Sequence, residues 1–552
     1  MKLKRAQIIT EVLLEQGVDT IFGYPGGAAL DIYDALYEKR DQITHYLTAH
    51  EQGAAHAADG YARATGKTGV VFSTSGPGAT NLVTGIATAY LDSIPLVAIT
   101  ANVGRPVTGK DSFQEVYIGG ITLPITKHNY VVTRVEDLAD TLREAFLIAG
   151  SGRKGPVLVD VPKDISVAMC EYTPKPPVKP ETLTMIPQEG LEQVAKMINE
   201  SKKPVVFFGG GVVSSEASAE LQELVKKATL PACHTIMASG CLRYDEPLNM
   251  GMLGMHGTFL ANKAVDQADL VLAIGTRFSD RVALNTQKFA KNAKIIHIDI
   301  DPSEICKNVL AYYSVVADVK AVLQGLIPLV NEVSEREWVK EIEEWKAQDY
   351  KPPVGDGLLP NNIIQAIIDA AGEDSIITTD VGQHQMWSAQ YSKRIKPRAF
   401  LTSGGLGTMG FGYGAAIGAQ AADKTSKVVH ITGDGSFHMN LNEACTAVSY
   451  NLPIVTVILN NNVLGMVRQW QRAFYNQHFY QTTLNRKTDY VKLAEGFGLR
   501  GYRATTLDEL KDALQKAFAG EGPAWVECVL DSDEKVLPMI PPGQTVQNIV
   551  LE

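Results

Sequence analysis

Short uninterrupted runs of apolar residues recur along the chain, each ending at a glycine-rich or polar turn and alternating with stretches of helical periodicity. The clearest are Gly69-Val70-Val71-Phe72, Leu96-Val97-Ala98-Ile99, Pro204-Val205-Val206-Phe207-Phe208, Leu270-Val271-Leu272-Ala273-Ile274, Ile295-Ile296-His297-Ile298, Val428-Val429-His430-Ile431 and Ile454-Val455-Thr456-Val457-Ile458-Leu459. Strands buried on both faces read this way, because polar and apolar positions stop alternating once helices cover both sides of a sheet. Strand, helix and parallel strand in succession predict right-handed βαβ units. The expected fold class is therefore α/β, with doubly wound parallel sheets.

Two proline-rich stretches interrupt the alternation: Thr173-Pro174-Lys175-Pro176-Pro177-Val178-Lys179-Pro180, and the stretch from Lys351-Pro352-Pro353 to Pro360. Proline stiffens the chain and withholds backbone donors, which suits a linker better than a core. The segments so divided, residues 1–175, 185–345 and 358–552, each have the length of a βαβ domain, and about three domains is the natural expectation for 552 residues. The first and third share an order of apolar strand, glycine turn, helix and apolar strand. The middle one reads as a nucleotide-binding domain, although glycine turns alone name no nucleotide.

Composition narrows the setting. Hydrophobic residues make up 45% of the chain, enough for several cores, and no apolar run approaches the roughly 18 to 20 residues that span a bilayer. The first residues, Met1-Lys2-Leu3-Lys4-Arg5-Ala6-Gln7-Ile8-Ile9, enter an amphipathic helical pattern without a signal-peptide core, so a cytoplasmic protein is expected. A net charge of −10 with no basic block argues against nucleic-acid and anionic-membrane partners. Six scattered cysteines with no CxxC pair read as reduced core or near-core thiols.

The sharpest chemical signal is Gly433-Asp434-Gly435 at the end of one apolar run, with 24 residues between it and Asn460-Asn461 at the end of the next. Adjacent parallel strands would bring both to one carboxyl edge, where α/β proteins bind ligands. Asp434 and Asn461 then offer a carboxylate and an amide oxygen, a pair suited to Mg2+ that keeps a diphosphate among its ligands. Gly433 and Gly435 would let the backbone approach phosphate. A Gly-Asp-Gly turn closes many strands, but with the paired asparagines at this distance it resembles the motif of the thiamine diphosphate enzymes. That resemblance implies Asp434, Asn461 and the carbonyl of Val463 as metal ligands, with Ser436, Gly465 and Met466 beside the diphosphate. Glu51, in His50-Glu51-Gln52-Gly53, precedes a helical pattern over 54–64. It resembles the family's catalytic glutamate, which shares a proton with N1′ of the aminopyrimidine and so promotes loss of the thiazolium C2 proton.

Ordered blocks over essentially the whole chain are similar to one branch of those enzymes, the acetolactate (acetohydroxyacid) synthase catalytic subunits. They include Phe22-Gly23-Tyr24-Pro25-Gly26-Gly27, Thr74-Ser75-Gly76-Pro77-Gly78, Ser112-Phe113-Gln114-Glu115, Arg277-Phe278-Ser279-Asp280-Arg281, Gly404-Gly405-Leu406-Gly407-Thr408-Met409 and Gly465-Met466-Val467-Arg468-Gln469-Trp470. The resemblance implies three domains, for the pyrimidine, for FAD and for the diphosphate. Gly26 and Gly27 would offer backbone donors where oxyanion charge grows. Gln383 and His384 would hydrogen-bond the diphosphate, Gly407 would leave room for the pyrimidine amine, and Met409 would bend the cofactor. Arg281 would hold the carboxylate of a second 2-oxoacid, and Trp470 would narrow the acceptor pocket in favour of an ethyl over a methyl group. Phe113, Gln114, Lys163 and Met255 would complete the catalytic wall. The implied FAD contacts are Gly209, Gly210, Gly211, Leu253, Gly254, Met255, His256, Gly275, Thr276, Arg277, Asp299, Ile300 and Asp318, helped by Arg153 from the first domain, and the flavin would have no redox step.

The same resemblance implies pyruvate and 2-oxobutyrate as substrates, a place in branched-chain amino acid biosynthesis, and a homodimer or tetramer with active sites at subunit interfaces. A small regulatory subunit is a further partner it brings into view. Neighbouring readings are a catabolic acetolactate synthase that needs no FAD and a pyruvate oxidase-like enzyme. The chain departs from the family pattern at Lys110, at Asn102 and after Tyr413-Gly414, positions that bear on FAD contacts and acceptor preference rather than on the cofactor chemistry.

Overall fold

In the computed structural model, which describes residues 2–180 and 182–552, the described strands form three six-stranded sheets and a two-stranded ribbon. The ribbon pairs β1 (Lys2–Lys4) with β8 (Met169–Glu171), antiparallel. The first sheet holds β2 (Thr20–Gly23), β3 (Thr44–Leu47), β4 (Gly69–Ser73), β5 (Leu96–Asn102), β6 (His128–Val131) and β7 (Pro156–Pro162), arranged β3-β2-β4-β5-β7-β6. The middle sheet holds β9 (Pro204–Phe208), β10 (Ala232–His234), β11 (Asn249–Met252), β12 (Leu270–Ile274), β13 (Lys294–Asp299) and β14 (Tyr313–Val316), arranged β11-β10-β9-β12-β13-β14. The third holds β15 (Ile376–Thr379), β16 (Phe400–Leu401), β17 (Val428–Gly433), β18 (Val455–Asn460), β19 (Arg500–Ala504) and β20 (Ala524–Val529), arranged β16-β15-β17-β18-β20-β19.

Every pairing within these three sheets is parallel. Numbered from one within each sheet, the strands of the first and third follow the same order, 2-1-3-4-6-5, so the echo between those segments extends to topology. The middle sheet runs 3-2-1-4-5-6, the doubly wound order of dinucleotide-binding domains. The unbroken apolar runs have the expected cause: β4, β7, β9 and β12 are buried at every residue.

Five helices position the chemistry-bearing residues: α1 (Glu51–Thr65), α2 (Gln383–Tyr391), α3 (Phe411–Ala422), α4 (Asp434–Asn440) and α5 (Gly465–Phe474). α1 starts where the His50 ring accepts the Gln52 N–H and stops at Gly66, whose φ of +77° is left-handed. Its face of glycine and alanine packs directly on that of α3. A Cβ at Gly418 would lie 1.9 Å from the Ala57 carbonyl oxygen, so only glycine permits this approach. Ala54, Ala57 and Ala58 of α1 share one core with Ala416, Ile417 and Ala419 of α3, which joins the first sheet's layer to the third's.

Some local expectations change. The helix expected over 54–64 begins three residues earlier at Glu51, and the stretch after Gly76 forms two helices, Pro77–Asn81 and Val83–Asp92. The amphipathic N-terminal helix, Arg5–Glu15, is preceded by β1. Cys306 and Cys445 are exposed rather than core residues, while all six thiols are free, as expected.

Candidate active site

β17 and β18 are neighbours in parallel register, with Gly433 opposite Leu459, so Asp434 and Asn461 leave the sheet side by side. Asp434 opens α4 and is 4% exposed, and burial pushes its carboxyl up to about 7. What favours its charged form comes from backbone N–H groups of residues 434, 435 and 462 and from the more distant Arg486. Among the described residues no three His, Cys, Asp or Glu side chains converge as a metal cage. A cation here would therefore need the amide oxygen of Asn461, a backbone carbonyl such as that of Val463, and oxygens from a ligand, a donor set typical of Mg2+.

His384, in the first turn of α2, packs its ring against Gly382 and Gly433. Burial keeps it neutral, with its pKa pushed down to about 4, and its Nε2 has no hydrogen-bond partner. A buried, unsatisfied ring nitrogen beside the Asp434 turn fits a phosphate oxygen as its missing partner. Gln383 behaves differently from the expectation of a diphosphate donor. Its Nε2 donates to Gln469 Oε1 at 3.2 Å and to the Glu534 carbonyl at 2.7 Å, and its Oε1 accepts from Asn461 Nδ2 at 3.1 Å. Both of its amide protons are thus spent on protein. Gly465 lies against this contact, where a Cβ would fall 1.8 Å from Gln383 Oε1. Ser436 donates to the Val381 carbonyl, Gly407 has a φ of +70°, and the Met409 side chain reaches toward Gly435.

A second group gathers at the carboxyl edge of the first sheet. Glu51 is 9% exposed and accepts from Asn81 Nδ2 at 2.9 Å through Oε2, while Oε1 faces Gly78. Gly26 lies against Thr74, Lys163 Nζ donates to the Gly27 carbonyl at 3.3 Å, and Gln114, at a φ of +59°, lies over Gly76. Phe113 is 88% exposed. Asn81 and Thr74 join this group although the sequence assigns them no role. Their only signal is position, on either side of Gly78, which faces the Glu51 carboxylate.

Between the middle and third sheets lies a cavity of about 1500 Å3. Arg153, Gly210, Gly211, Leu253, Met255, His256, Gly275, Thr276, Arg277, Asp299, Ile300 and Asp318 line it, whereas Gly209 and Gly254 lie behind its wall. Gly209 follows β9 in extended backbone and Gly254 is pressed against the Arg281 carbonyl. His256 Nδ1 and Thr276 Oγ1 are buried without partners. Burial lowers the pKa of Arg277, aided by repulsion from Arg153. Arg153 itself donates to Ser93 and is paired with Asp301 and Glu304. A large cleft with orphaned donors and a guanidinium in its wall fits an extended anionic ligand such as FAD. The same cavity is lined by Gly407, Met466, Arg281 and Trp470. Arg281 stands over the Trp470 ring at 5.7 Å, with its Nη1 3.8 Å from Met255 Sδ. Arg281 and Trp470, expected around an acceptor substrate, and Met255, expected in the catalytic wall, therefore meet at one place, from three stretches of sequence.

Family models for thiamine pyrophosphate enzymes match all three parts of the chain: the N-terminal TPP binding domain at residues 3–120, the central domain at 191–326 and the C-terminal TPP binding domain at 380–528. The chain is 46% identical over 567 aligned positions to the probable acetolactate synthase large subunit of Methanocaldococcus jannaschii, covering 99% of this chain and 95% of that one. It is 44% identical to the acetolactate synthase isozyme 2 large subunit of Escherichia coli, covering 98% and 97%. To the acetolactate synthase large subunit of Cyanidium caldarium it is also 44% identical, covering 97% and 95%.

Proposed function

Because the chain belongs to the acetolactate synthase large subunits of the thiamine pyrophosphate enzyme family, we propose that it decarboxylates pyruvate and joins the remaining two-carbon unit to a second 2-oxoacid. Pyruvate as acceptor yields 2-acetolactate, and 2-oxobutyrate yields 2-aceto-2-hydroxybutyrate, the step toward valine, leucine and isoleucine. Bound thiamine diphosphate supplies the electron sink for the loss of CO2 and for the new carbon–carbon bond. The observation that carries the reading is the meeting of Arg281, Trp470 and Met255 at a cavity that Gly407 and Met466 also line.

The chain's own residues divide the work. Glu51 would exchange a proton with the cofactor's aminopyrimidine through Oε1, while Asn81 Nδ2 donates to Oε2 and so fixes the carboxylate. Asp434, Asn461 and the Val463 carbonyl would hold Mg2+ and through it the diphosphate, and His384 Nε2, which has no partner in the protein, would donate to a phosphate oxygen. Arg281 takes the acceptor's carboxylate with its forked guanidinium, and Trp470 limits the acceptor's alkyl group. Arg277 and the orphaned His256 and Thr276 side chains of the central cavity would hold FAD, which would have no redox step.

The Glu51 and Asp434 groups lie on the edges of different sheets, and the exposed Phe113, Tyr117 and Leu123 beside the first supply an apolar surface for a second copy. We therefore read a homodimer or a pair of dimers, with sites completed across the interface. A small regulatory subunit fits the large-subunit designation of the relatives. No described helix is long and apolar enough to cross a membrane, and a cytoplasmic setting suits the substrates.

The test is purified protein with pyruvate, Mg2+ and thiamine diphosphate, with and without FAD and 2-oxobutyrate. Acetolactate formed without oxygen uptake, with 2-oxobutyrate preferred as acceptor and FAD required, is the expected result. Oxygen consumption in place of carbon–carbon bond formation would point to a pyruvate oxidase, and indifference to FAD to the catabolic synthases.

A further inference from the structure

Four consecutive backbone carbonyls, those of residues 534 to 537, are each met by a side-chain N–H from α2 or α5. Gln383 donates to Glu534 O at 2.7 Å, Trp387 Nε1 to Lys535 O at 3.1 Å, and Gln390 to Leu537 O at 3.1 Å. These three side chains are spaced i, i+4 and i+7, so one face of α2 is laid along the segment. From α5, Gln469 makes a closed pair with Val536, donating to its carbonyl at 3.0 Å and accepting its N–H at 2.9 Å. Gln469 is 9% exposed and Val536 fully buried, so the two bonds of this pair are shielded from water.

The bonds also have a direction. A peptide carbonyl can only accept and a peptide N–H can only donate, whereas a side-chain amide can be turned either way. Glu534 O therefore requires the Nε2 end of Gln383. Val536 N–H requires the Oε1 end of Gln469, and that same oxygen takes the second proton of Gln383 Nε2. Gln383 must then present Oε1 to Asn461, which answers with Nδ2. With its nitrogen held, Asn461 has its Oδ1 on the side away from Gln383, where it also meets the Val463 N–H at a long 3.4 Å.

We propose that Gln469 and Gln383 are positioning residues for the cation site, relaying the fixed polarity of the 534–536 backbone to Asn461 so that its amide oxygen, and never its nitrogen, faces the metal. The inference rests on the reading of Asp434 and Asn461 as Mg2+ ligands and adds what orients one of them. Partners outside the ligand set of a metal commonly change affinity about ten- to a hundredfold when removed.

The test is a titration of the full-length protein with Mg2+ at fixed thiamine diphosphate, followed by quenching of tryptophan fluorescence and, separately, by turnover. Gln469→Leu should raise the half-saturating Mg2+ concentration about ten- to a hundredfold in both readouts, with a smaller fall in the rate at saturating Mg2+. Gln390→Leu is the matched control, because it frees the same segment at Leu537, together with the His256 carbonyl, without touching the Gln383–Asn461 contact. Equal shifts in the two variants, or none in Gln469→Leu, would overturn the relay. If Gln469→Leu fails to fold, Gln383→Met makes the same test one bond nearer the metal, read by the same criterion. Asp434→Asn separates the metal site from the relay: unchanged Mg2+-dependent binding in that variant would remove the metal site itself, whereas lost binding there with an unshifted Gln469→Leu would remove only the relay.

Discussion

Gly418→Ala probes the contact that holds the first and third sheets together. The added Cβ would lie 1.9 Å from Ala57 O and 2.6 Å from Tyr61 N, where ordinary contact begins at 3.4 Å. Both atoms are backbone of α1, so no side chain can rotate aside and the helices must separate. Alanine favours a helix interior over glycine by about 1 kcal/mol, while forcing a methyl into a packed core costs about 1–3 kcal/mol. With rigid backbone as the obstacle the upper figure applies, leaving a net loss of about 2 kcal/mol. Gly496→Ala supplies the opposite sign: it lies in the helix Tyr490–Phe497, is exposed, and its Cβ would meet nothing within 4 Å. That substitution should stabilise by up to about 1 kcal/mol. Urea unfolding followed by circular dichroism reads both. Because α1 begins at Glu51, the Gly418→Ala protein should also lose turnover while Gly496→Ala keeps it. A Gly418→Ala midpoint at or above that of Gly496→Ala would refute the packing argument.

Trp470→Leu should widen the acceptor pocket and lower the preference for 2-oxobutyrate over pyruvate by roughly ten- to two-hundredfold, read as the product ratio in direct competition; an unchanged ratio would remove Trp470 from the pocket. Asp160 is buried among β5 and β7, which pushes its carboxyl up to about 6 from the usual 3.8 despite donors from Thr100 and Asn102. Between those values the unfolded chain has lost the proton and the folded one keeps it, so this group's contribution falls by about 3 kcal/mol as pH rises from about 4 to about 6. Asp160→Asn should remove that part of the pH dependence of unfolding, and a curve unchanged in slope would contradict it. Mixing Glu51→Gln and Asp434→Asn proteins, each inactive alone, should restore about a quarter of wild-type turnover if sites are shared across a two-fold dimer, since half the dimers are mixed and each keeps one intact site. No recovery after verified subunit exchange would mean that each site lies within one chain.

Strands and their parallel pairing were legible because burial on both faces leaves an unbroken apolar run, a signal that needs no knowledge of the partner strand. Asp434 and Asn461 were legible for the same reason, since each sits at the end of such a run. What escaped the sequence lies where contacts join distant stretches. Gln383 and Gln469 stood in recognisable blocks, but that their amides spend themselves on each other and on Glu534 and Val536 follows from how α2 and α5 pack. The exposure of Cys306 and Cys445 was missed for another reason: a thiol carries no pattern that distinguishes a core from a surface position.

Equal strand orders in the first and third sheets create two equivalent ligand-binding edges, and the loops then give them opposite chemistry. One edge ends in a carboxyl group steadied by a neutral amide, Glu51 with Asn81. The other ends in a carboxyl group, Asp434, met by backbone N–H groups, and an asparagine turned by a relay of amides. A cofactor that needs a proton carrier at one end and a metal at the other has to bridge two such edges. The rigid element between them in one chain is the α1–α3 contact, since α1 begins at Glu51 and α3 comes directly after the Gly407 to Gly410 loop. If the sites are completed across a dimer as proposed, each chain would give one edge to each site, and a shift of α1 against α3 would move Glu51 in one site and the Gly407 to Gly410 loop in the other. The glycines at this contact therefore act on both sites at once, which is why a single methyl at Gly418 is expected to reach chemistry that it never touches.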